Sequence, residues 1–187
     1  MKSLKGIIYA MISSGTFGLI PLLGNMEMND SNILFYRFLF STLMMGAVCL
    51  LHKSTLKINM KHLISIIGLG ALYALTALFL IYSYHYITSG VATTIHFLYP
   101  ICVSFLMVVF FKEQKSKSLF LAASLSLIGV ALMCWSGGGS IRLMGIGLAA
   151  LTILTYGIYI VALNQLDIGK LPAEMLTFYV LLGGCVI

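Results

Sequence analysis

The sequence predicts an all-α polytopic membrane protein assembled from inverted helical repeats, and three observations predict it. The chain of 187 residues is 60% hydrophobic and only 9% charged, against about 45–50% apolar and 25% charged in soluble domains. Its apolar runs have the length that crosses a bilayer, about 20 residues at 1.5 Å each for ~30 Å of hydrocarbon. A late run also repeats the residue pattern of the first, which makes the second half of the chain read as a partial copy of the first.

Six runs meet the length criterion: Gly6–Gly24, Ile33–Leu51, Leu63–Ile87, Val91–Phe111, Leu119–Trp135 and Leu143–Leu163, and a seventh begins near Met175 and runs to Ile187. Each must be helical, because a lone lipid-facing strand leaves its backbone groups unpaired in hydrocarbon. The first follows Lys2 and Lys5 as a signal peptide would. It is too long for one, and "LLGNME" offers no small-x-small cleavage site, so it is a retained helix. The intervening stretches "GNMEMNDS", "HKSTLKINMKH", "TSG", "KEQKSKS", "SGGGSIR" and "DIGKLPAE" carry the polar and glycine punctuation of turns. Nothing is left over for an extramembrane domain.

The lysines set the orientation. Lys2, Lys5, Lys53, Lys57, Lys61, Lys112, Lys115 and Lys117 fall on one side of the predicted spans and only Arg142 on the other, over the first five helices. By the positive-inside rule the N-terminus is cytoplasmic and the protein sits in the cell (cytoplasmic) membrane. The net charge of +6 therefore reflects membrane topology and contact with anionic headgroups. It does not mark a nucleic-acid partner, since no basic patch interleaves with aromatics.

Aligning Gly6 with Gly145 sets "GIIYAMISSGTFGLIPLLGN" against "GIGLAALTILTYGIYIVALN". Gly6/Gly145, Ile7/Ile146, Ala10/Ala149, Thr16/Thr155, Gly18/Gly157 and Asn25/Asn164 are identical, Phe17 meets Tyr156, and "FYRF" (35–38) later meets "FYVL" (178–181). The sixth helix is thus a copy of the first and the seventh of the second. An odd number of helices per repeat forces the second copy to enter the membrane in the opposite sense, the plan of many secondary transporters. Residues matching 45–135 have no counterpart in the second copy. The expectation is a ten-helix architecture truncated after about six and a half helices: a first repeat over 1–135, a Gly-rich linker over 136–143, and the start of a second repeat over 144–187.

Several segments carry a family resemblance: Lys-Gly before helix one with "GTFG" inside it, "FYRF" opening helix two, "TSGVATTIHFLYPI" leading into helix four, and "FFKEQ…LIGVALM" joining helices four and five. In their order and spacing they resemble the EamA domain of the drug/metabolite transporter superfamily, over 1–135 and again from 144. The resemblance implies a secondary transporter of ten helices in two inverted domains around a central cavity, exporting amino acids or related small metabolites or drugs by alternating access.

Arg37 is the one charge well inside a span, six residues past Ser31 and about 9 Å below the outer face. It either serves the solute or snorkels to the headgroups on its long stem. His96, seven residues after Ser89, and Phe17 lie at matching depth. Together they suit a zwitterionic or anionic solute, whose carboxylate Arg37 takes bidentately while Phe17 packs on an apolar side chain. Tyr156, the repeat mate of Phe17, and Tyr36 beside Arg37 are secondary candidates; Tyr82, Tyr84, Tyr86 and Trp135 read as an interfacial belt. Pro100 in "FLYPICV" removes a backbone bond and predicts a kink near Ile95–His96, as a gating hinge or a static bend. Glycine and other small residues, including Gly68, Gly70, Gly129, Gly145 and Ala149, read as close-packing positions.

Enzyme signatures are missing. Cys49, Cys102, Cys134 and Cys185 are dispersed without metal or disulfide spacing, and "SGGGS" lacks the Lys-Ser/Thr of a phosphate loop. No cofactor and no metal are expected. The partners are a small-molecule substrate and the lipid bilayer, with a homodimer left open. Two other classes stand beside the exporter. A half-size oligomeric transporter of the small multidrug type would carry a buried Glu in helix one, which this sequence lacks. A non-transporting membrane subunit, or a non-functional truncated remnant, leaves the polar interior residues Ser13, Ser14, Thr16, Arg37, Thr93, Thr94 and His96 without a purpose.

Overall fold

A computed structural model of the protein describes residues 29–52, 58–112, 142–166 and 171–186, with seven further helical residues between Leu121 and Leu132. The first predicted span with Phe17, the residue Trp135, and the linker apart from Arg142 and Leu143 lie outside the described residues. Among the described residues there are helices and no strands: α1 Asp30–Leu51, α2 Met60–Ser83, α3 Ser89–His96, α4 Tyr99–Phe111, α5 Leu143–Gln165 and α6 Ala173–Val186. Among the described residues, four stretches are long and apolar enough to cross a membrane: Asp30–Leu51, His62–Ser83, Ser89–Phe111 (α3 and α4 together) and Leu143–Gln165. The protein is an all-α polytopic membrane protein.

Local chemistry fixes the ends. α1 starts three residues before the apolar run, because the Asn29 side chain accepts from the Ser31 N–H at 3.3 Å and Asp30 occupies the first turn. α2 stops four residues short of the predicted Ile87. The Ser83 hydroxyl donates to the Leu80 carbonyl at 2.6 Å, and the chain then turns through Tyr84 N–H to Ile81 and Tyr86 N–H to Ser83. Thr88 caps α3, its side chain accepting from the Val91 N–H at 3.5 Å. α4 ends at Lys112, whose φ of 55° is the left-handed conformation common just past helix C-termini.

The fourth predicted span is broken rather than kinked. Helical geometry stops at His96, Phe97 and Leu98 form a turn, and α4 restarts at Tyr99 with Pro100 in its first turn. The cause is chemical. Pro100 has no N–H to give the His96 carbonyl, while a helix's first turn asks for none. The discontinuity therefore lies one to two residues beyond the expected Ile95–His96.

α2 is the hub, contributing to all three apolar clusters. It meets α3 and α5 through Leu80, Ile87, Val91, Ile95 and Ala149. It meets α1 through Leu34, Phe38, Ala74 and Ile81, and α6 through Ile66, Leu69, Leu176 and Val180. Lipid tails are as apolar as these side chains, so association depends on close fit and interhelical hydrogen bonds rather than on water exclusion. Glycine provides the fit. A Cβ at Gly145 would lie 2.7 Å from the Tyr86 Cβ, at Gly157 2.9 Å from Cys102 Sγ, and at Gly70 3.0 Å from the Val180 carbonyl oxygen. Gly68 and Gly129, read from the sequence as packing positions too, would meet nothing within 4 Å.

Paired contacts give the helix directions. α1 and α6 are antiparallel, since Phe38 sits against Gly184, Phe178 against Gly46, and His52 against Glu174. α2 and α5 are antiparallel as well, with Ile87 at Gly145, Thr76 at Thr155 and Tyr73 at Tyr159. α3 and α4 run parallel to α5, through His96 at Thr152, Cys102 at Gly157 and Met107 at Gln165. At opposite ends, α1 is tied by His–carboxylate contacts: Asp30 to His85 at 2.6 Å and His52 to Glu174 at 3.1 Å.

Candidate functional site

Three helical faces converge between α2, the α3–α4 break and α5. On α5, Thr152, Thr155, Tyr156 and Tyr159 follow i, i+3, i+4, i+7 spacing and share one face. On α2, Tyr73 and Thr76 face them. From the broken span come His96, the last residue of α3, and Tyr99, the first of α4.

The rings form a connected set around Tyr156. Its centroid lies 4.6 Å from Tyr99 with the rings edge to face, 5.5 Å from Tyr159 stacked, 5.2 Å from His96 and 6.4 Å from Tyr73. Tyr73 also packs on Tyr159 at 5.6 Å. Such edge-to-face and offset arrangements follow from the ring quadrupoles.

Hydroxyl bonds join the same helices. His96 Nδ1 is 3.0 Å from Thr152 Oγ1, and the Thr152 hydroxyl donates to the Ala149 carbonyl at 2.6 Å. The Thr76 and Thr155 hydroxyls meet at 2.7 Å, a direct bridge from α2 to α5. The hydroxyls of Tyr73, Tyr99, Tyr156 and Tyr159, by contrast, have no hydrogen-bond partner among the described residues.

The candidates from the sequence fare differently. His96 is buried, 5% exposed, and joins Tyr156 as part of this set. Arg37 is half-buried and within electrostatic reach of Tyr84, whose hydroxyl lies 3.4 Å from Thr93 Oγ1, one turn before His96. Tyr36 is 47% exposed and stacks on Phe40 at 6.4 Å, apart from the rings around His96. Phe17 lies outside the described residues. Pro100 stands in the first turn of α4, beside Tyr99. Sequence reasoning missed Tyr73, Tyr99, Thr152, Thr155 and Tyr159. Among the described residues no cluster of three His, Cys, Asp or Glu exists that could hold a metal ion.

The model of the EamA-like transporter family matches residues 3–135. The chain belongs to this family. No curated protein and no solved structure matches it. As an EamA-like protein it is a membrane transporter of the drug/metabolite superfamily type, a family of transporters rather than enzymes, which works in a lipid bilayer on a small-molecule substrate. In this EamA-like chain, α1, α2, α3 and α4 all lie within the matched residues, whereas Thr152, Tyr156 and Tyr159 lie beyond them.

Proposed function

We propose that this transporter exports amino acids or related small metabolites across the cytoplasmic membrane by alternating access, with its N-terminus inside. The path runs beside the His96–Tyr156 set, and Arg37 takes the solute's carboxylate nearer the outer face. One observation carries the reading. Four phenol hydroxyls sit at mid-length of membrane helices without partners among the described residues, and a hydroxyl left in hydrocarbon costs roughly 2–7 kcal/mol. Such a face is tolerated where it borders a watered path. His96 and Tyr156 then line the path, and Phe17 and Tyr36 complete the candidate solute set toward the outer side. The break ahead of Pro100 serves as the hinge. The chain is organised as a first five-helix repeat over 1–135, a linker over 136–143 and a second, inverted repeat from 144. The antiparallel packing of α1 on α6, which the residue alignment pairs as repeat mates, supports that arrangement.

Arg37→Ala tests the reading. Efflux of labelled L-amino acids from loaded cells or vesicles should be lost while membrane insertion, followed by protease accessibility, stays intact. Efflux equal to the wild type would overturn the role of Arg37 and the path drawn beside it.

A further inference from the structure

We infer that α1 is a gating helix, latched to the rest of the bundle by Asp30–His85 at its outer end and by His52–Glu174 at its inner end, so that opening either face breaks one pair while the other holds; this role rests on the alternating-access reading and the orientation proposed above. What sets α1 apart is how it is held. α2 and α6 interlock backbone to backbone, since a Cβ at Gly70 would lie 3.0 Å from the Val180 carbonyl oxygen and 3.1 Å from the Gly183 Cα. α2 is also bonded to α5 where the Thr76 and Thr155 hydroxyls meet at 2.7 Å. α1 meets α6 through rings on glycine instead. A Cβ at Gly46 would lie 3.2 Å from the Phe178 ring, and one at Gly184 would lie 3.1 Å from the Phe38 ring. A ring rotates about its side-chain bonds and can follow a tilting helix, which a backbone carbonyl cannot.

The space for such a tilt is present. A cavity of about 340 Å³ separates α1 from its neighbours, with Ser31, Phe35 and Phe38 on one wall and Leu75 and Leu78 of α2 on another. Its lining reaches Cys185 of α6, whose Sγ is 3.8 Å from Thr42, about three turns into α1 from Asp30. Asp30 adjoins Ser31 at the outer rim, and its carboxylate is 2.6 Å from His85 Nε2. At the inner end His52 Nδ1 is 3.1 Å from the Glu174 carboxylate, and Cys49, three residues before His52, is only 1% exposed. Among the described residues these two His–carboxylate pairs are the ion pairs, and both belong to α1. Each histidine is 61% exposed. Exposed pairs are weak, as a latch broken in every transport cycle must be.

The protein's own cysteines report the outcome. The full chain is reconstituted in vesicles of either sidedness, a membrane-impermeant maleimide is added from one face, and labelling of Cys185 and Cys49 is read separately by peptide mass spectrometry. Asp30→Ala and His85→Ala should each raise labelling of Cys185 from the outer face and lower that of Cys49 from the inner face, by about two- to fivefold, the scale of one exposed pair. Glu174→Ala and His52→Ala should do the reverse. In each pair the double variant should match the singles, because either loss breaks the same contact, whereas a merely disturbed helix would add the two effects. Labelling equal to the wild type in the variants of either pair, or additive double variants, would overturn the latches. A rise at both cysteines in one variant would leave that pair standing as a latch and sink the alternating-access reading, since the two faces would then open together.

Discussion

Gly70→Ala and Gly68→Ala, two residues apart on α2, separate helix packing from helix propensity. In a helix interior either change removes glycine's backbone entropy cost and stabilises by roughly 0.5–1 kcal/mol. At Gly68 nothing else follows, because the new methyl meets nothing within 4 Å. At Gly70 it would lie 3.0 Å from the Val180 carbonyl oxygen, 3.1 Å from the Gly183 Cα and 3.3 Å from the Gly183 carbonyl carbon. All three are backbone atoms, so no side chain can swing aside and α6 itself must retreat. Overpacking of this kind costs about 1–3 kcal/mol. The difference between the two variants is that whole cost, since the propensity gain is common to both, and 1.4 kcal/mol is about tenfold in the unfolding equilibrium. Unfolding in a denaturing detergent titration, followed by tryptophan and tyrosine fluorescence, measures it. If the two variants agree within about 0.5 kcal/mol, the close backbone approach of α2 and α6 is refuted.

Other outcomes follow from the same contacts. Thr76→Val removes the α2–α5 hydroxyl bridge and should destabilise the bundle by about 0.6 kcal/mol, the average for interhelical hydrogen bonds in membranes, measured in the same titration. Tyr156→Phe keeps the ring contacts and loses only the hydroxyl, so stability should hold while efflux falls; Tyr156→Ala should lower both, seen by comparing unfolding midpoints with transport rates. Glu174 is held below the usual carboxylate range by its own backbone N–H and then by His52. Its folded pKa is depressed, so its contribution to stability is complete above the ordinary value of 4.5 and is lost as pH falls through the folded value. Glu174→Gln should accordingly flatten the acid limb of a stability against pH curve.

Much of the fold was legible because a bilayer imposes one length on every span. Ile33–Leu51 and Leu143–Leu163 lie within α1 and α5, differing by no more than three residues at either end. Polar chemistry moved the other boundaries: Ser83 ends α2 before the apolar run does, and the missing N–H of Pro100 turns an expected kink into a break. The site was half legible. His96 stood out as a lone imidazole in an apolar span. Tyr36 was chosen for its place beside Arg37, but neighbours on a helix point about 100° apart, and it lies on the exposed side. Tyr73, Tyr99 and Tyr159 escaped because tyrosine in a membrane protein reads first as an interfacial belt. The signal that would have found part of the set was the spacing of Thr152, Thr155, Tyr156 and Tyr159, one polar stripe on an otherwise apolar helix.

The tight seating of α1 on α6 bears on how the protein is made. α1 leaves the ribosome well over a hundred residues before α6. Until α6 arrives, Gly46 and the side of the Phe38 ring turned away from α2 lack the Phe178 and Gly184 surfaces they pack on in the finished protein. α2 waits in the same way, Thr76 and one side of Tyr73 for α5 and Gly70 for α6. A membrane helix persists alone because its backbone bonds are internal, so waiting is permitted. Helices within the family-matched stretch thus complete their packing only with later segments, and assembly proceeds by capture of already inserted helices.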